Sequence, residues 1–185
     1  ENKNVNIKYR EKNPIEVIKI DSMYGDIEIS GWARDFIEIN TNKILNSGFS
    51  QDIDLMDTLF NLNGNELQVK TKIPARVEGK INLKIYIPFI LEKLYINSEK
   101  GDIYINKFIG DAEITNYKGN INYLFQGSIL RVNSYKTDIN LYVRSYNSSD
   151  IVINNEEGTT NVNIETVAKH SFLDIKSSNG DINLF

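Results

Sequence analysis

Ser98-Glu99-Lys100-Gly101-Asp102-Ile103-Tyr104-Ile105 is followed by Asn116-Tyr117-Lys118-Gly119-Asn120-Ile121-Asn122-Tyr123, then by Ser134-Tyr135-Lys136-Thr137-Asp138-Ile139-Asn140-Leu141. From Gly101 to Gly119 is 18 residues, and from Gly119 to Thr137 is 18 again. A fixed short period is the signature of stacked coils, in which each repeat buries its apolar face only against its neighbours. The same phrase begins at Ser22 and at Ser177, with glycines at Gly25 and Gly180, and a degraded copy follows Asn155.

Each phrase is preceded by apolar residues two apart: Ile18 and Ile20, Leu94 and Ile96, Ala112 and Ile114, Leu130 and Val132, Ile151 and Ile153, Leu173 and Ile175. Period-two alternation marks a strand with one buried face. After the turn the alternation restarts at Ile103/Ile105, Ile121/Tyr123, Ile139/Leu141 and Ile182/Leu184. One coil therefore reads strand, turn, strand, turn. Phe108-Ile109-Gly110 and Phe125-Gln126-Gly127 mark the second corner, where a ring plugs the end and glycine lets the chain bend.

The pattern predicts an all-β fold: a short-coil β-solenoid of about 18–20 residues per coil, two- or three-sided. Residues 42–71 break the period and read as an insertion, with a loop or helical turn from Gly48 and a hairpin at Asn63-Gly64. Lys80 to Ile87 alternates without fault until Pro88. The repeats offer no place to divide the chain, so residues 1–185 are expected to form a single domain.

Composition excludes several functions. The chain has 185 residues, a net charge of −4 and no cysteine. Mild acidity argues against nucleic acid, which calls for a basic stripe. Without cysteine there are no disulfides, thiolate metal sites or thiol nucleophiles. No apolar run reaches transmembrane length. The first residue is Glu1, which fits either removal of a leader or anchor, or trimming of an expression tag. Membrane association would then come only through an N-terminal anchor preceding Glu1.

The proline-terminated strand Leu83-Lys84-Ile85-Tyr86-Ile87-Pro88, leading into Leu94-Tyr95-Ile96-Asn97-Ser98 and the later Ser-x-x-Gly-Asp-Ile phrases to Ile182, resembles the putative adhesin family of bacterial envelope proteins, the DUF4097 or toastrack-like β-solenoid group. The likeness spans almost the whole chain. Thr137 in a glycine position and the slipped spacing at Asn155 depart from the pattern. The resemblance implies an extracytoplasmic location (periplasm, outer surface or secreted) and a role in contact rather than chemistry.

Four columns follow from the stacking. Asp26, Asp102, Asn120, Asp138 and Asp181 share one position in the phrase, and Gly25, Gly101, Gly119 and Gly180 the one before it. These are read as structural turns: the Asp or Asn side chain caps its own turn, and the glycines take positive φ. Thr137 should then turn differently, because a β-branched residue tolerates that conformation poorly. Lys100, Lys118 and Lys136 form a basic column, and Tyr117 and Tyr135 an aromatic pair. Both are candidate ligand contacts, since aromatic faces and cations suit sugars and their acidic groups.

No metal, cofactor or catalytic residue is expected. One carboxylate per coil falls far short of the six to eight oxygens calcium takes, and the calcium-binding nonapeptide is missing. His170 is the only histidine and has no predicted partner. The function expected is a non-enzymatic envelope or surface domain presenting a repetitive polar face to a glycan or protein. The alternatives are the extracytoplasmic, partner-binding part of an envelope-stress sensor, and a polysaccharide-processing enzyme. The last would need a dense groove of Asp, Arg or Lys, and the sequence shows none.

Overall fold

The computed structural model describes residues 3–47, 49–144, 148–166 and 168–185; Gly48, where the predicted loop begins, lies outside them. In chain order the strands are β1 (Lys3–Glu11), β2 (Val17–Tyr24), β3 (Ile27–Trp32) and β4 (Ile37–Ser47), then a 3-10 helix (Ser50–Leu55), β5 (Asp57–Asn63), β6 (Glu66–Lys72) and β7 (Glu78–Pro88). After these come β8 (Ile90–Lys100), β9 (Ile103–Phe125), β10 (Ile129–Arg144), β11 (Asp150–Glu157), β12 (Thr160–Thr166), β13 (Phe172–Asn179) and β14 (Ile182–Leu184). All belong to one mixed sheet that curls over a shared core, the all-β fold that the alternation predicts.

From β8 onward the coils stack in sequence and in parallel. β9 and β10 each run through both sides of a coil. Leu130 lies beside Ala112 and Ile139 beside Ile121. Beyond them Ile151 lies beside Leu130, Thr160 beside Ile139, and Leu173 beside Ile151. Equivalent residues are 18 apart in the central coils, then 21 and 22 apart in the last two. The slip at Asn155 thus lengthens corners, and the strands keep their register apart from a shift between Val143 and Arg144.

The first coils do not follow chain order. β2 pairs in parallel with both β6 and β8, and β3 with both β7 and β9. The coil built first in sequence therefore lies between the second and the third. This corrects the reading of residues 42–71 as an insertion. The end of β4, the 3-10 helix and β5 stand apart from the coils, whereas β6 is a coil strand, placing Leu67 against Ile18 and Val69 against Ile20. The hairpin at Asn63-Gly64 is present, with Asn63 opposite Glu66.

At this end antiparallel strands close the stack. β4 lies on β7 and β1 on β4, while β5 lies on β6. The Tyr9 and Phe60 rings stack 4.1 Å apart and join the two outermost strands. Between β1 and β4, Arg10 and Lys8 reach the two oxygens of the largely buried Glu38 at 2.8 and 2.9 Å.

Inside, the coil columns are almost dry. Ile27, Ile103, Ile121 and Ile139 are all buried, and Phe108 and Phe125 fill the second corner as their sequence positions imply. Ile121→Ala should therefore destabilise the protein by about 2–5 kcal/mol, the cost of lost burial plus a cavity. Urea unfolding checks this, and a loss well under about 1 kcal/mol would place the side chain outside the core.

Glu38 gives the cap a pH dependence. The hydrogen bonds from Arg10, and then from Lys8, hold its carboxyl down from the ordinary 4.5 to about 2. A depressed carboxyl contributes stability above its unfolded-state pKa and loses it as pH falls toward the folded value. Between pH 4.5 and about 2 the melting temperature should thus fall more steeply for the wild type than for Glu38→Gln. Parallel slopes would show that these ion pairs contribute nothing.

Candidate functional site

The turn of the phrase is where backbones of adjacent coils approach most closely. A Cβ added at Gly101 would lie 2.0 Å from the Gly25 carbonyl oxygen, and one at Gly119 would lie 2.2 Å from that of Gly101. Gly25, Gly101, Gly119 and Gly158 all have positive φ. Gly180 does not, contrary to expectation; it is needed for space alone, its Cβ direction pointing at the Gly158 carbonyl oxygen 1.9 Å away. Thr137 turns differently, as its β-branch demands. It lies beside Gly119 without positive φ, its side chain is buried, and Asn155 Nδ2 donates to its carbonyl at 2.9 Å.

The Asp/Asn column hydrogen-bonds between coils rather than within its own turns: Asp26, Asp102 and Asp138 each accept from a backbone N–H of the next coil. Asp26 N–H donates to Asn82 Oδ1 at 2.9 Å, Asp102 N–H to Asp26 Oδ1 at 3.1 Å, and Asn120 N–H to Asp102 Oδ1 at 2.8 Å. Further along, Thr159 N–H donates to Asp138 Oδ1 at 2.8 Å. A side-chain oxygen thus satisfies the one backbone N–H that the turn lifts out of the sheet ladder. Lys80 adds an ion pair to Asp26 at 3.1 Å. Among the described residues no group of three or more metal-ligating side chains converges.

The first position of the phrase points inward: Ser22, Ser98, Asn116 and Asn155 are all buried. The next two point out and form the candidate contact columns. Tyr117 and Tyr135 stack with centroids 4.8 Å apart and planes 9° from parallel. Each ring covers one face of the other, so the stack offers its edges and only its two end faces, toward the coils of Glu99 and Glu156. In the basic column Lys136 pairs with Glu157 at 3.2 Å, and this hydrogen bond raises its pKa. Among the described residues Lys100 and Lys118 have no such carboxylate partner, so two of the three cations remain available.

Beside the tyrosines runs a groove of about 590 Å³ along the stacking direction, lined by Asn97, Thr115, Asn133, Tyr117, Tyr135 and both glutamates. Asn133 belongs to a ladder that the sequence reading missed, accepting from Asn154 Nδ2 at 3.0 Å. On the other side of the coils a longer ladder runs from Asn183 to Asn161 to Asn140 to Asn122, with amide bonds of 2.9, 2.9 and 3.1 Å. The signal was present, since the outward residue after each Gly-Asp/Asn-Ile is Asn in the later coils. His170 lies in an exposed turn with φ 69° and meets none of these features.

No protein-family model and no curated protein matches the chain. Solved structures do. A putative cell adhesion protein from Clostridium sporogenes aligns with a TM-score of 0.54 at 11% identity, over 100% of this chain and 99% of the other. A putative adhesin from Bacteroides fragilis aligns with a TM-score of 0.41 at 12% identity, over 98% and 97%. The first shows that the fold is one already seen in a putative cell adhesion protein, in agreement with the resemblance read from the repeated phrase. No helix among the described residues is long and apolar enough to cross a membrane.

If the Asp column is structural, millimolar calcium or EDTA should leave the melting temperature unchanged, because only a ligand that prefers the folded state raises it. Asp102→Ala should cost about 1 kcal/mol, the loss of a hydrogen bond to a partly buried N–H, while Asp102→Asn keeps the accepting oxygen and loses much less. A melting temperature raised several degrees by calcium, and insensitive to calcium in Asp102→Asn, would make the column a metal site.

Proposed function

We propose that this chain is a non-enzymatic binding domain of the bacterial envelope or cell surface, and that it holds a glycan strand along the Asn97/Thr115/Asn133 groove. The observation that carries this reading is the pairing of a row of amide and hydroxyl groups with the Tyr117–Tyr135 stack, both repeated at coil spacing. Sugars ask for that combination: side chains that both donate and accept toward hydroxyls, next to apolar ring surface. Adjacent coils lie about 4.8 Å apart, near the length of a sugar residue, so an extended polysaccharide meets equivalent groups in successive coils. Lys100 and Lys118 lie one column away, within reach of acidic substituents.

The fold shared with a putative cell adhesion protein supports a surface-binding role and an extracytoplasmic setting. The single-domain organisation of residues 1–185 is part of the same proposal, supported by the uninterrupted core. A catalytic role finds no support in the groove, whose carboxylates Glu99 and Glu156 lie at opposite ends of the tyrosine pair.

A glycan array followed by calorimetry tests the reading. The wild type should bind one class of polysaccharide, and the double variant Tyr117→Ala/Tyr135→Ala should bind it at least about tenfold more weakly, from the loss of two ring contacts. The polysaccharide should be recovered at unchanged length. Absence of binding across the array, unchanged affinity in the variant, or shortened product would each overturn it.

A further inference from the structure

The groove beside the tyrosine stack carries charge of one sign only. Its charged lining residues are Glu99 and Glu156, both exposed and neither with a cation partner among the described residues. The lysines of the neighbouring column line other hollows. Lys118 shares one with Asn120 and Asp138, and Lys100 shares another with Tyr24 and Lys80. The groove flank of the tyrosine column is therefore acidic and its turn flank basic. A ligand with acidic groups turned into the groove would meet two uncompensated carboxylates, whereas ammonium groups there would be drawn to them.

The two ends of the tyrosine stack also differ. At the Tyr135 end the chain supplies its own cation: Lys136 Nζ lies 5.6 Å from the ring centroid and 3.2 Å from Glu157 Oε2. At the Tyr117 end a ring and a carboxylate stand together without a cation of the chain's own. Glu99 holds the place of Tyr117 one coil earlier, since Ser98 lies beside Asn116. Tyr117 is 58% exposed, and among the described residues no cation stands over its ring. An ammonium fits this end twice over, with its charge above a ring face and its N–H groups donating to a carboxylate.

We infer that the glycan held in this groove bears free amino groups, one of them seated between the outer face of Tyr117 and the Glu99 carboxylate. The inference rests on the groove being the glycan site, and it names the class of sugar as aminosugars not acylated at nitrogen. Glu156 lies three coils from Glu99, about 14 Å along the stack, so a second ammonium some three sugar residues away meets the other carboxylate. Lys100 and Lys118 stay available on the turn flank, so one strand can present both signs of charge.

Titration calorimetry with an unbranched glucosamine oligosaccharide, at a pH where its amines are protonated, and with its N-acetylated counterpart of equal length tests this. The amine form should bind about tenfold or more tightly than the acetylated form, an advantage that shrinks as salt is raised. Glu99→Gln should remove most of that ratio and Glu99→Asp should retain much of it. Glu28→Gln, which takes a carboxylate from the opposite side of the coils, should leave the ratio as it is in the wild type. Equal affinity for the two forms, a ratio untouched by Glu99→Gln, or a ratio lost equally in Glu28→Gln would overturn the amino-group inference while leaving the glycan groove standing. So would failure of the amine form to bind when another glycan does. Binding that ignores Tyr117→Ala/Tyr135→Ala would instead overturn the groove itself, and the inference with it.

Discussion

The structure depends on how closely the coils approach one another at the turn of the repeated phrase. There the carbonyl of one coil occupies the space where the next would carry a side chain, as Gly25, Gly101, Gly119, Gly158 and Gly180 show. Only when this gap is kept closed can Asp102 reach Asn120 N–H, and the strands on both sides of the turn hold the register that stacks Ile103, Ile121 and Ile139. Glycine fixes the spacing, the Asp/Asn oxygen satisfies the lifted N–H, and the isoleucines supply the burial. Thr137 is the exception, and it is accommodated by a change of backbone and by the Asn155 amide rather than by space.

Much of this was legible in the sequence because it is local and periodic. Alternation marks the strands, the phrase marks the turns, and the 18-residue spacing places Tyr117 against Tyr135. What the sequence hid is non-local. Nothing in residues 66–72 states that they lie beside residues 17–21, so β6 read as an insertion rather than as a coil. The inversion of the first coils changes no local pattern, since an alternating strand fits beside any other. The sequence suggests that each Asp or Asn caps its own turn, whereas the hydrogen bonds run to the next coil, because the two arrangements look alike in one dimension. The asparagine ladders went unread for a different reason: Asn is abundant throughout, and only stacking makes Asn122, Asn140, Asn161 and Asn183 a line.

The same stacking separates the molecule's surfaces by purpose. Inward positions and the turn columns are consumed by the fold, which leaves function to outward positions. Those on the Tyr117 side combine rings, amides and two cations that have no carboxylate partner among the described residues. Those on the opposite side are tied up in amide-to-amide bonds, a rigid surface with fewer free donors.

The central claim, that glycine is required for close approach rather than for its backbone angles alone, is tested most directly by comparing two alanine substitutions. Gly64 has φ +59° and open space where a Cβ would go, while Gly180 has no positive φ and a carbonyl oxygen 1.9 Å from the Cβ position. By urea unfolding, Gly64→Ala should cost about 1 kcal/mol for the backbone conformation alone. Gly180→Ala should cost about 1–3 kcal/mol of overpacking with no cost in backbone angle. A Gly180→Ala variant as stable as the wild type would contradict the account.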